Sequence, residues 1–520
     1  CIHWGRSALP RLKGMFAFAF WDAQEQELLL VRDRMGIKPL YVYRDDRHIL
    51  FASEIRALLA SGLVPRRLNE KALVDHLRYQ TVHAPDTLVQ GVNMLPAGHL
   101  LAISDEEVEE QRWYSLVDSV SEAAQHMSLP DIHREVRDRL SRAVERRLVA
   151  DVPFGAFLSG GIDSSAIVGL MSGMSDAPVH TFSVIFDEAE YSEEHFATLV
   201  SKRFNTTHTP IRLSPRHMLD MLPDALAAMD HPSADGPNTF VVSKVTKAAG
   251  ITMALSGLGG DEVFAGYPVF PRTLALWQRR WITQFPKVLR GAAASIIAMA
   301  RPSIASDKLG ELLRLGTFSV DDTYPVSRLT MLDRELVRVL DRRTLPPDRV
   351  GDIMHGFIRD DSGYTLPFLS QVSVGELSTY LQNVLLRDTD QMSMAHALEV
   401  RVPFLDHELI EFVLGVDDRH KYPHTPKRLL VESLGDLLPR EVVERPKMGF
   451  TLPWEVWMRG ELRSFCEERL IGLVKRPMFR KSAINDMWQR FLRADPRINW
   501  SRIWTLVVLE DWLHRHGIES

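Results

Sequence analysis

From about residue 150 to residue 260 the chain switches repeatedly between short apolar runs and helix-period stretches, and this alternation constrains the fold more than any other feature. Strand-like runs in "GAFLSG", "VHTFSVIF", "HTPIRL" and "ITMALSG" are separated by helical stretches. These follow Asp163, run through "EEHFATLVSKRF", lie near 215–228 and fill "FVVSKVTKAAG". Buried runs alternating with helices of this length predict a parallel sheet covered on both faces. Two of the runs end alike: "FLSGGIDSS" and "ALSGLGGDE" each pass from a strand through glycines into a helix start that carries acid. In a parallel sheet both turns fall at the carboxyl edge, where open sheets take ligands.

The first turn has the chemistry of an anion site. Gly160 and Gly161 let the backbone come close to a bound group. Free amides and the helix dipole attract phosphate, and Ser159, Ser164 and Ser165 add hydroxyls. The lysine-bearing phosphate loop and the G-x-G-x-x-G fingerprint are both missing. Asp261 in the second turn reaches the same edge as Asp163, where the two could share a hard cation. The plain alternatives are a glycine turn capped by Asp163 and Ser164, and a helix capped by Asp261 and Glu262.

Elsewhere the style of the chain differs. Residues 14–104 read as short strands ("MFAFAFWD", "ELLLVRD", "PLYVYRD", "HILFASE", "GHLLAIS") with few helices, and "DEEVEEQ" at 105–111 as a solvated loop at a domain edge. A polar stretch follows. Ile132, Val136, Leu140 and Val144 then mark a helix, and residues from about 270 to 520 are mainly helical without an internal repeat. The expected division is 1–115, a linker at 116–130, and 131–520. Phe404, Leu405, Leu409 and Ile410 are expected in the core. "GAAASIIAMA", between Arg290 and Arg301, is far too short to span a bilayer and is expected to be a buried helix.

A chain of 520 residues with net charge -6 has no electrostatic footprint for nucleic acid. Its two cysteines, Cys1 and Cys466, make neither a disulfide framework nor a zinc site, which favours the cytoplasm. No signal peptide or membrane span is expected, and a first residue other than Met marks the sequence as a fragment or a processed product.

Several blocks of the chain resemble one family. "DVPFGAFLSGGIDSSA", "ALSGLGGDEVFAGYP", "DQMSMAHALEVRVPFLDHELIEF" and "LLPREVVERPKMGFTLP" look like successive blocks of the glutamine-hydrolysing asparagine synthetases. "LKGMFAFAFWD", "RDRMGIKPLYVY" and "FASEIRALL" resemble the later part of that family's glutaminase domain, while 270–370 matches poorly. The resemblance implies an α/β protein in two parts: a strand-rich remnant of an Ntn-type glutaminase sandwich, then a doubly wound, adenine-nucleotide α-hydrolase-like synthetase domain with a helical carboxyl-terminal part. It implies ATP and Mg2+, and conversion of aspartate through a β-aspartyl adenylate, with nitrogen from glutamine or ammonia and a homodimer as the assembly to look for. By the same resemblance the 159–165 loop holds pyrophosphate, and Asp163, joined by Asp261, holds magnesium. Leu158 and Val184 line the adenine site, Ser256 and Gly257 touch the nucleotide, and Lys447 neutralises charge on the phosphates and at the acyl-transfer step.

This sequence departs from the family at two points. Cys1 is not followed by the glycine of the family's amino-terminal nucleophile, so Cys1 is not expected to attack glutamine. The nucleophile and the residues that hold glutamine are expected upstream, leaving only free ammonia for this chain. Leu258 stands where many members carry an acid, and leucine accepts neither a proton nor a hydrogen bond. That leaves open a relative acting on another carboxylate, as β-lactam synthetases and peptide-modifying amidotransferases do. Arg401 and Asp406 are expected to satisfy each other, and Asp390 is given no role. A tRNA-modifying relative lacks its expected basic face and cysteine pair, and a catalytically dead binding module is the remaining alternative.

Overall fold

The computed structural model describes residues 3–186, 193–358, 366–421, 425, 427–445 and 453–520. The amino-terminal part contains β1 (Ala17–Asp22), β2 (Glu27–Arg32), β3 (Tyr41–Arg44), β4 (Ile49–Ala52), α1 (Ile55–Ala60), α2 (Glu70–Tyr79), β5 (Val92–Met94), β6 (His99–Ile103) and β7 (Val108–Arg112). They form two antiparallel sheets, ordered β1-β2-β6-β7 and β4-β3-β5. The "RDRMGIKP" block joins them. Buried Arg32 donates to the carbonyls of Gly36, Lys38 and Leu95 at 2.7–2.8 Å. The Asp33 carboxylate collects the amides of Phe16, Met35, Ile37 and Lys38 at 3.0–3.2 Å. A buried charge tolerates its desolvation only when its hydrogen-bonding capacity is filled in this way.

Residues 116–130 are packed against the rest of the chain. Leu116 and Ala124 are buried, the Ser121 amide donates to the Glu411 carbonyl, and Gly415 approaches so closely that a Cβ there would lie 1.9 Å from the Ser121 oxygen. In α3 (Leu129–Leu148), started by the Ser128 side chain, Ile132, Val136, Leu140 and Val144 all face the core.

The second part is built on a five-stranded, all-parallel sheet ordered β10-β9-β8-β11-β12. In chain order its elements are β8 (Phe154–Phe157), α4 (Ile162–Met174), β9 (His180–Phe186), α5 (Glu194–Arg203), β10 (Thr207–Leu213), α6 (Pro215–Ala228), α7 (Gly236–Ala248), β11 (Met253–Leu255), α8 (Gly260–Val263) and β12 (Glu399–Arg401). The short β12 was not anticipated. Having added β9 and β10 to one side of β8, the chain returns to place β11 on the other, so the carboxyl ends of β8 and β11 flank the crevice where the winding reverses. α9 (Val269–Gln278), α10 (Lys287–Ala300), α11 (Ile304–Arg314) and further helices complete the molecule. Among the described residues no helix is long and apolar enough to cross a membrane.

The two parts share one apolar core, in which Leu73, Leu77 and Val92 pack with Leu226, Phe240, Trp504 and Leu509. Polar ties cross the same boundary: Lys38 to Asp390 at 2.8 Å, Arg78 to Asp333 at 2.8 Å, and the Leu68 amide to the Glu519 carbonyl.

Several expectations change. "DEEVEEQ" is partly β7, an edge strand on β6 whose acids point to water; charge on an edge strand is a common guard against further pairing. "GAAASIIAMA" is helical within α10 but not buried, for only Arg290 and Ala294 of that helix are. Arg401 and Asp406 do not pair. Arg401 bonds Glu399 and the carbonyls of Arg147 and Val149, whereas Asp406 is held by Arg146 at 3.0 Å and Arg147 at 2.9 Å. Nearby guanidinium groups on α3, distant in sequence, take the carboxylate instead. Phe404, Leu405, Leu409 and Ile410 are core residues as expected.

Asp230 shows how the parts are clamped: its carboxylate accepts the Ile55 and Arg56 amides at 2.7 and 2.8 Å, at the start of α1. Burial, only partly offset by those amides, pushes its pKa up to about 6. The folded state therefore binds this proton more tightly than the unfolded chain, and stability falls as pH rises from the ordinary carboxylate value to about 6. Urea unfolding should show a falling contribution of roughly 3 kcal/mol across that window, absent in Asp230→Asn.

Candidate functional site

Buried Leu158 follows β8, and its amide donates to the Phe182 carbonyl of β9 at 2.7 Å. The chain then turns through 159–161 into α4. The Ser159 hydroxyl accepts the Gly161 amide at 3.3 Å and lies 3.1 Å from the Ser164 hydroxyl, which donates to the Gly161 carbonyl at 3.2 Å. These bonds close the turn before any ligand arrives. Gly160 has φ +68°, and a Cβ there would lie 2.6 Å from the Ala197 nitrogen and the Phe196 side chain. Its glycine is thus dictated by the approach of α5 and by the left-handed backbone.

β11 ends on the other side of the crevice, with the Ser256 amide held by the Arg401 carbonyl at 2.8 Å. The glycines of "SGLGGDEVFAG" make room for two carboxylates. A Cβ at Gly257 would lie 2.8 Å from the Asp163 Cβ, one at Gly260 2.4 Å from Asp163 Oδ1, and one at Gly266 2.0 Å from Asp261 Oδ1.

Asp163 and Asp261 share the Lys427 ammonium. The Lys427 ammonium bonds Asp163 Oδ2 and lies 2.8 Å from Asp261 Oδ1. Lys427 is buried, with φ +52°. Burial works against its charge, but the two carboxylates outweigh it and raise its pKa above the ordinary lysine value. Two hard oxygen donors that already converge on a cation are a fitting start for a magnesium site, with phosphate oxygens supplying further ligands. Among the described residues no larger group of metal-binding side chains is present.

A cleft of about 430 Å³ opens over these strand ends. Of the residues expected to bind, Leu158, Ser159, Asp163, Ser164, Val184, Ser256, Gly257 and Asp261 line it. Gly160, Gly161 and Ser165 do not line it, and Ser165 is fully buried. Lys447 and Cys1 lie outside the described residues. Leu258 also lines the cleft, its amide donating to the Ser256 hydroxyl at 3.3 Å.

Several residues here were not foreseen. Arg445 is tied to Glu193 at 2.5 Å and lies over the Phe196 ring, 4.7 Å from its centroid. Its Nη2 lies 3.5 Å from where a Gly161 Cβ would be, and its buried Nη1 has no hydrogen-bond partner among the described residues. An unfilled guanidinium donor beside a free helix start suits an anion. Asp235 and Asp388 also line the cleft. Burial raises Asp388 to about 7 despite hydrogen bonds from Ser233 and from Gln391, the latter at 2.9 Å. Burial likewise raises Asp235. For Arg445 a signal existed, since "ERPKMGF" belongs to a block already singled out; Lys427 and the two acids carried none.

The asparagine synthase family model matches residues 135–514, and the glutamine amidotransferase domain model matches 1–114. Asparagine synthetase [glutamine-hydrolyzing] 1 of Bacillus subtilis is 27% identical, covering 100% of this chain and 80% of the relative. A putative asparagine synthetase [glutamine-hydrolyzing] of Mycobacterium tuberculosis is 29% identical over 98% of this chain and 78% of its own length. Amidase chyE of Penicillium rubens is 29% identical over 88% of this chain and 72% of its own.

Replacing Lys427 by Met would remove a buried ammonium from between the partly buried Asp163 and Asp261 carboxylates. Loss of one partner from a buried ionic cluster costs about 3–5 kcal/mol. Thermal unfolding of Lys427→Met should show a loss of that order, and millimolar Mg2+ should restore stability to the variant more than it adds to the parent protein.

Proposed function

As this chain belongs to the asparagine synthase family, whose members carry out ATP-dependent amidation, we propose that it converts aspartate to asparagine through β-aspartyl-AMP. A carboxylate oxygen of aspartate attacks the α-phosphorus of ATP and releases pyrophosphate. Ammonia then attacks the acyl carbon, loses a proton and displaces AMP. Activation is needed because a carboxylate is a poor acyl acceptor, whereas AMP leaves readily.

The observation that carries this reading is the convergence of Asp163, Asp261 and Lys427 at a free helix start. These three side chains by themselves sum to one negative charge, which favours a bound cation where a polyphosphate is to settle. Magnesium, held by Asp163 and Asp261, would supply the missing positive charge and tether the phosphates. The α4 amides and Arg445 take pyrophosphate oxygens, Lys427 orients the two carboxylates, and the adenine rests against Leu158 and Val184. Lys447 is assigned charge neutralisation on the phosphates and at the acyl carbon.

The Asp235–Asp388 wall supports an acceptor that brings an ammonium group, as aspartate does. Leu258 supports a second reading, in which a different carboxylate is adenylated; the likeness to amidase chyE fits it. ATP–pyrophosphate exchange with a panel of acids separates them. Exchange should depend on aspartate and Mg2+, and Asp163→Asn should abolish it. Exchange driven by another acid, with none from aspartate, would establish the second reading.

A further inference from the structure

The strongest unassigned surface lies between residues 263 and 306. From Val263 to Ser306 the sequence contains no Asp or Glu but six cations, within a chain whose net charge is -6. Arg272, Arg279, Arg280, Lys287 and Arg301 are exposed; the sixth, Arg290, is buried and donates to the carbonyls of Phe285, Leu313 and Leu315.

Large apolar side chains stand among these exposed cations. Trp281, Phe285, Val288, Leu289, Ile296 and Met299 have between 50% and 81% of their surface open. On α10 the four aliphatic residues fall within about 100° of one another around the helix, opposite buried Arg290 and Ala294. Trp281 and Phe285 continue the stripe at its amino-terminal end, their rings 6.0 Å apart. Between α9 and α11 lies a cleft of about 550 Å³ lined by Arg272, Arg279, Lys308 and Arg328 among apolar residues, with Arg328 paired to Glu376.

We propose that this face docks on an anionic lipid membrane, lying in the interface without crossing it. Bulky apolar and aromatic side chains enter the acyl boundary, and the flanking arginines and lysine meet the headgroup phosphates. Charge selects this occupant. A twofold contact with a second copy would set the same cations against each other, and a neutral apolar partner would leave the acid-free stretch without a purpose.

The test is co-sedimentation of the whole chain with phosphatidylcholine vesicles, alone or with about a third phosphatidylglycerol. Binding should require the anionic lipid and weaken with salt. Arg279→Gln/Arg280→Gln should lower partitioning roughly 30-fold, and Val288→Asp/Met299→Asp should abolish it. The altered side chains are exposed, so both variants should keep the parent's thermal unfolding curve and ATP–pyrophosphate exchange, which checks that they are folded. Equal binding to both vesicle types, no binding to either, or binding unchanged in the variants would overturn the proposal. So would sedimentation velocity showing a dimer that Val288→Asp/Met299→Asp splits, because the face would then join protein to protein.

Discussion

One ammonium group organises the candidate site. Asp163 at the start of α4 and Asp261 at the start of α8 are like charges brought together, and the buried Lys427 ammonium draws both to one point. Gly257, Gly260 and Gly266 then follow as consequences, since side chains there would enter the space the carboxylates occupy. Lys427 itself sits in a left-handed backbone conformation that most side chains avoid. Local backbone cost is accepted where an electrostatic need fixes the position.

The cleft is lined by the acids Asp163, Glu193, Asp235, Asp261 and Asp388, while Lys427 is tied to Asp163 and Asp261 and Arg445 to Glu193. Burial raises the pKa of both Asp235 and Asp388, and a bound cation would favour their charged forms. The amino-terminal part packs on the same body through Asp230, Lys38 and the shared core.

Much of this was legible beforehand, for particular reasons. The alternation from 150 to 260 names its own sheet because strand and helix periods differ, and the two glycine turns mark their strand ends because little else tolerates such close approaches. The β12 strand was missed because three residues carry no period. The α10 helix was judged by its apolar content, which measures what water rejects and says nothing of whether a partner surface is present. The Arg401–Asp406 pairing failed because proximity in sequence is a poor guide to which charges meet in a packed interior.

Sequence alone determined the chemistry at the strand ends: which residues carry acid, which yield space, and on which edge of a parallel sheet they fall. These are local properties, set by side-chain identity and backbone freedom within a few residues. Only the tertiary structure decided that Lys427, 264 positions from Asp163, neutralises it, that Arg445 backs the turn, and that an apolar stripe on α10 faces outward. Charge pairing and burial act through space, and the chain's route through space depends on all of its contacts at once.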